Sequence, residues 1–278
     1  MYAFYNYWYE VYAILKREKK DKVSSTVNRD ETSIFQSFIL RKPNSTFAES
    51  FKILRTNVQF SLKLNEPKTM LITSSSAGEG KTTVTANLAI SFANAGYKTI
   101  TVDSDMRIPA LYKEFNIDNS IGLSNYLNGD AAIKDIIQPV DIENLSMIPS
   151  GPIPFNSAEL LSSKRMADLL AELKKTYQLI IVDSAPINVV ADTQIISPLV
   201  DGTLIVISAG NTRRGDLRRA IDSMQYTNII GLVLNVLSKR TDRYYYHYNY
   251  YKSSSYNKYY YKGTPENYKS DSDVSTKL

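Results

Sequence analysis

Short apolar runs punctuate the middle of the chain: TMLIT at 69–73, TITVD at 99–103, LSMIP at 145–149, QLIIVD at 178–183, GTLIVIS at 202–208 and IIGLVLNV at 229–236. Each has the length of a strand. The last three are apolar without alternation, as expected of strands buried on both faces of a parallel sheet. Helical patterns lie between them. After Pro43 and Asn44, a helix starting near Ser45 or Thr46 puts Phe47, Phe51, Leu54, Val58 and Leu62 on one face, while Glu49, Lys52 and Arg55 point elsewhere. A second helix is expected from about 81 to 95, with Gly96 as its C-cap. SNYL, ahead of Asn128-Gly129, makes a short turn of helix. Asn156 with Glu159 resembles a capping box opening a helix near 157–175. This alternation predicts an α/β domain over 46–240, a mostly parallel sheet covered by helices on both faces, with ligands at the carboxyl ends of its strands.

Both ends of the chain depart from this pattern. Residues 1–45 read as an extension: YAFYNYWYEVYAIL at 2–15 suits an interfacial or partner-binding helix, and 22–33 are polar and loose. From 241 to 278, beginning RYYYHYNYYKSSSYNKYYYKG, no helical or alternating pattern would bury a face, so a disordered tyrosine-rich tail is expected. Eleven of the 21 tyrosines fall within 244–268.

Composition removes several functional classes. With no cysteine, disulfides, cysteine metal sites and iron–sulfur clusters are excluded. The apolar runs fall far short of the ~20 residues of a membrane helix, and no signal-peptide pattern opens the chain; an intracellular, soluble protein is expected. The net charge of +5 is modest. Lys16, Arg17, Lys19, Lys20 and Lys22 cluster near the start, and Arg213, Arg214, Arg218 and Arg219 share an expected helix. Solvated faces are the favoured reading of both, anionic headgroups a second one for the first cluster. No nucleic-acid motif accompanies them, so nucleic acid is not an expected partner.

The chemistry concentrates after three strands. In SAGEGKTT at 76–83, Ala77, Gly78, Glu79, Gly80, Lys81, Thr82 and Thr83 form a phosphate-binding loop. Its glycines let backbone N–H groups turn inward, Lys81 reaches the β- and γ-phosphates, and Thr82 holds Mg²⁺. Ser75 stands where the G-x-x-x-x-G-K-[ST] pattern begins with glycine. Asp183, ending LIIVD, is the second acidic element of a P-loop enzyme, directed at Mg²⁺. VDSDMR at 102–107 supplies a third. Asp103 and Asp105 are two apart and can face the same way, one on Mg²⁺ and the other taking the proton of an attacking hydroxyl. Arg107 either neutralises the transferred group or makes an ion pair, on the surface or across a subunit contact.

SAGEGKTT, VDSDMR and LIIVDSAP, in this order and spacing, resemble the Walker A, A′ and B motifs of bacterial tyrosine kinases, the BY-kinases of capsular and exopolysaccharide synthesis. GPIPFNSAELL at 151–161 is similar to the family's Gly-Pro-x-Pro-Pro-Asn-Pro-x-Glu-Leu-Leu stretch. ESFKILR at 49–55 is similar to its Glu-x-x-Arg-x-x-Arg oligomerisation helix. The resemblance implies a P-loop NTPase fold, ATP and Mg²⁺, and autophosphorylation of tail tyrosines, here Tyr244, Tyr245, Tyr246, Tyr248, Tyr250, Tyr251, Tyr256, Tyr259, Tyr260 and Tyr261. It also implies a homo-oligomeric ring using Glu49, Lys52 and Arg55, adenine contact through Asn235, a membrane-bound polysaccharide co-polymerase as activator, and a cognate tyrosine phosphatase. The location implied is cytoplasmic, at the inner face of the membrane through that activator. Lys52 replaces the middle arginine of the oligomerisation helix, Ala185 the first proline after Asp183, and Phe155 and Ser157 two prolines of the downstream stretch. The main alternative is a partition- or division-site ATPase, which uses the same loop and acids with water as nucleophile; Ser76, where that class carries its signature lysine, weighs against it.

Overall fold

The computed structural model describes residues 11–16, 44–224 and 227–236. Its centre is one eight-stranded sheet in the order β1-β8-β7-β2-β6-β3-β5-β4. The strands are β1 (Val11–Lys16), β2 (Lys68–Ser74), β3 (Thr99–Asp103), β4 (Gln138–Pro139), β5 (Leu145–Ile148), β6 (Leu179–Asp183), β7 (Gly202–Ser208) and β8 (Ile229–Val236). All neighbours pair in parallel except β4 and β5. The expected parallel sheet is therefore present, and TITVD, GTLIVIS and IIGLVLNV form strands with the expected bounds.

Alternation explains the two layers. Met70, Ile72, Leu179, Ile181, Leu204 and Val206 pack on one face against α1 (Thr46–Leu62) and α2 (Lys81–Ala93). Leu71, Ile100, Val102, Ile180 and Val182 face the other way, toward α4 (Leu123–Asn128), α6 (Ser157–Ser162), α7 (Lys164–Leu173) and α8 (Asp192–Ile196). On that second side Ile205 and Leu232 meet Ala220 of α9 (Arg214–Asp222) and Met224. Two short helices, α3 (Leu111–Phe115) and α5 (Ile133–Ile136), complete the α-helices among the described residues.

Helix α1 starts at the expected place, because the Ser45 hydroxyl accepts the Ala48 N–H at 3.1 Å. Phe47, Phe51, Leu54, Val58 and Leu62 are all buried. Two expectations fail. Residues 11–16, within the stretch read as a helix, form strand β1, which adds to the outer edge of β8 in parallel, Val11 opposite Leu232. The backbone groups of an edge strand are satisfied by pairing, which a helix here would not provide. Residues 2–10, the basic run 17–22, the polar stretch 22–33 and the tyrosine tail lie outside the described residues. The helix expected near 157–175 is two helices, α6 and α7, broken at Ser163 in extended conformation (φ −69°, ψ 153°). Nor does the Asn156 side chain make a capping hydrogen bond.

Candidate active site

Three parallel strands deliver the chemistry to one edge. Strands β2, β6 and β3 are adjacent, so the loop after β2, Asp183 ending β6 and Asp103 ending β3 emerge side by side, with Asp103 opposite Asp183 in register. The phosphate loop bends because Gly78 and Gly80 adopt φ +80° and +93°, a region costly for other residues. Gly80 is required a second time: a Cβ there would lie 2.2 Å from the Asn235 side-chain nitrogen. Helix α2 begins at Lys81, its N-terminal N–H groups directed at the loop.

The candidate side chains lock together. Lys81 Nζ lies 2.9 Å from Asp105 Oδ2 and 3.7 Å from Asp183 Oδ2, all three groups nearly enclosed. Thr82 Oγ1 donates to Asp183 Oδ2 at 2.7 Å, and Thr85 Oγ1 donates to Asp183 Oδ1 at 3.1 Å. Asp103, fully buried, accepts the Asp105 N–H on Oδ1 and the Ala110 and Leu111 N–H groups on Oδ2. Burial first, then the charges of Asp183 and Asp105, hold its carboxyl well above the usual carboxylate range. Burial likewise raises Asp183, against the pull of Lys81. Three carboxylates around one ammonium are arranged for more positive charge than the chain itself supplies. Thr82 Oγ1, Asp183 and Asp105 offer hard oxygen donors suited to Mg²⁺, which commonly takes one or two carboxylates together with phosphate oxygens.

The other predicted residues fall at different distances from this centre. Arg107 is bidentate on Asp192 of the same chain, Nε to Oδ2 at 3.0 Å and Nη2 to Oδ1 at 3.1 Å. Asp192, nearly inaccessible, also accepts from Ser157 Oγ at 3.2 Å. Asn235 Nδ2 donates to the Glu79 carbonyl at 3.0 Å. Thr83 Oγ1 points to Glu114, at 3.5 Å. On α1, Glu49 and Lys52 pair with each other at 2.6 Å in solvent, whereas Arg55 turns inward and donates from Nη1 to the Ser91 carbonyl at 2.8 Å. The tail tyrosines lie outside the described residues.

Several participants were not singled out from the sequence. Thr85 was detectable, since it follows Thr82 by three on one helix and shares its face. Asp192 and Thr212 enter only through contacts distant in sequence. Among the described residues, no helix is long and apolar enough to cross a membrane.

Comparison with known proteins agrees with this fold. Residues 67–226 match the AAA domain family. Tyrosine-protein kinase YwqD of Bacillus subtilis is 36% identical over 211 residues, 74% of this chain and 89% of YwqD. The crystal structure of the chimerical protein CapA2B2 superposes with a TM-score of 0.73 at 30% identity, covering 83% of this chain and 96% of that one. The kinase domain of Escherichia coli tyrosine kinase ETK gives 0.75 at 27% identity, covering 84% and 92%. With Lys81 bracketed by Asp105 and Asp183 at the carboxyl edge of a parallel sheet, and with relatives of this coverage, the chain belongs to the bacterial tyrosine kinase (BY-kinase) family.

Proposed function

We propose that the protein is an ATP-dependent tyrosine autokinase, transferring the γ-phosphoryl group to tyrosines of its own C-terminal tail, between subunits, in the control of capsular or exopolysaccharide synthesis. One observation carries the reading furthest: Asn235, one residue before the end of β8, touches the phosphate loop through the Glu79 carbonyl. Tyr244, the first tyrosine of the tail, comes nine positions after Asn235 in the sequence.

Roles follow from the contacts. The loop backbone and Lys81 bind the phosphates, and Lys81 exchanges its carboxylate contacts for phosphate oxygens as ATP arrives. Thr82, Asp183 and Asp105 would hold Mg²⁺, whose chemistry is to neutralise charge on the β- and γ-phosphates. The tyrosine oxygen attacks the γ-phosphorus, the bond to the β-phosphate oxygen breaks, and ADP leaves. The phenolic proton passes to Asp103. Three backbone N–H groups fill about three of the roughly four acceptor positions of that carboxylate, leaving one on Oδ1 for the tyrosine. Its raised proton affinity suits a base. Asp105 is the alternative base. Arg107, engaged by Asp192, orders the VDSDMR segment rather than neutralising the transferred group.

Assembly is read from the resemblance: Glu49, Lys52 and Arg55 of α1 at a ring contact, with a membrane-bound co-polymerase as activator, holding the enzyme at the inner face of the membrane. A tyrosine phosphatase would reset the tail. The full chain, with an activator segment, is incubated with γ-labelled ATP beside Lys81→Met. Label on tyrosine in the wild type alone supports the reading; free phosphate alone supports the switch-ATPase alternative.

A further inference from the structure

Glu79 sits in the middle of the phosphate loop, between Gly78 and Gly80, yet the residue is only 4% exposed. A carboxylate beside a polyphosphate site is unfavourable unless its charge is turned away and engaged. Here it is both. Ser75 Oγ donates to its two oxygens, at 2.9 and 3.0 Å, and the Ser76 N–H donates to Oε2 at 2.9 Å. Thr212 Oγ1, in the loop between β7 and α9, donates to Oε1. That hydroxyl accepts the Ser208 N–H at 2.8 Å, which leaves its proton for Glu79. The backbone carbonyl of the same residue receives Asn235 Nδ2.

We propose that Glu79 is a positioning residue: its carboxylate sets the shape of the phosphate loop and ties it to the β7–α9 loop, and ATP affinity depends on that bracket. The proposal rests on the reading of residues 76–83 as the ATP site. It also accounts for Ser75 at the position where the usual pattern has glycine. Ser75 is fully buried, and its hydroxyl closes the loop across to Glu79, so a side-chain staple supplies a constraint that backbone freedom alone would not. Burial raises the Glu79 carboxyl above its ordinary value, and the hydrogen bonds of Thr212, Ser76 and Ser75 oppose that rise. Those hydrogen bonds stabilise the carboxylate where it stands, and removing them or it loosens the loop.

The test uses the full chain as wild type, Glu79→Ala, Glu79→Gln and Thr212→Val. Affinity for a fluorescent ATP analogue is titrated, and ATP KM and kcat are measured for tyrosine labelling. Loss of hydrogen bonds to a buried charge predicts weaker analogue binding and a higher ATP KM in Glu79→Ala, by about tenfold or more, with kcat nearly unchanged. Glu79→Gln recovers most of the affinity, because its amide oxygen still accepts from the Ser76 N–H. Thr212→Val falls between. The proposal is overturned if folded Glu79→Ala binds the analogue as tightly as wild type, if kcat falls while KM holds, or if Gln is as weak as Ala. Should Glu79→Ala not fold, unchanged affinity in both Glu79→Gln and Thr212→Val under conditions where Lys81→Met loses it overturns the bracket. A wild type that binds the analogue but never labels tyrosine refutes the kinase reading alone, and the titration still decides Glu79.

Discussion

Two lysine–carboxylate pairs of similar length belong to different regimes. Lys81 and Asp105 meet at 2.9 Å with side chains 9% and 1% exposed, at the carboxyl edge of the sheet. Lys52 and Glu49 meet at 2.6 Å on the outer face of α1, with side chains 50% and 57% exposed. The shorter pair is the weaker one. In water, attraction is screened and two long side chains lose freedom to meet, so the net contribution is about 0–1 kcal/mol. In the centre, desolvation costs each ion several kcal/mol by itself, and any partner removed leaves an uncompensated buried charge. The central charges therefore need a reason other than stability, and phosphoryl transfer is the reason the proposed function gives them. The α1 charges are inexpensive to carry.

The largest expected effect comes from the centre. Lys81→Met should lower tyrosine labelling by a factor on the order of 100 or more. In nucleotide-free protein it should also cost about 3 kcal/mol in urea unfolding, as the carboxylates lose their cation. Full labelling in that variant would dissolve the contrast at once. Next is Arg107→Ala, which strands the carboxylate of Asp192, 1% exposed. A loss of about 3 kcal/mol is expected, with Asp192→Asn milder because the amide still accepts from Ser157. Equal losses in the two would show that burial does not set the scale.

A pH series sharpens the comparison further. Burial raises Glu79, so between the ordinary carboxylate pKa and its raised value the native state binds more protons than the unfolded chain. Stability then falls as pH rises through that window. Asp103 and Asp183 are raised in the same sense, so the informative quantity is the difference between wild type and Glu79→Gln, whose slope should be shallower. Identical slopes would place the Glu79 charge outside the balance. The smallest effect is on α1: Lys52→Ala should change unfolding by less than about 0.5 kcal/mol. Lys52→Arg, restoring the planar fork, should leave stability alone and raise the oligomer mass in light scattering. A variant that alters unfolding but not mass would remove α1 from the ring contact.

What could be read in advance follows the range of the interactions. The strands at 202–208 and 229–236 are local facts, set by continuous apolar runs, and α1 is set by Ser45 and a helical stripe. That the loop at 76–83 and the acids at 103, 105 and 183 would meet was legible, because each ends or follows a strand of one parallel sheet. Strand β1 was not. VYAILK suits helix or strand locally, and the decision comes from pairing with residues 232–236, more than 200 positions away. The break at Ser163 was hidden by an Asn156–Glu159 pattern that mimics a cap without making its hydrogen bond. The same reason hides the partners of Glu79 and Arg107: Thr212 lies 133 residues from the first and Asp192 lies 85 from the second.

The most direct measurement is the chemical fate of the γ-phosphate when every tyrosine from Tyr244 to Tyr261 is replaced by phenylalanine. Wild-type protein should yield phosphotyrosine on acid hydrolysis, and the replaced protein should bind the ATP analogue equally well while losing most of the label. Undiminished phosphotyrosine in the replaced protein would contradict the account.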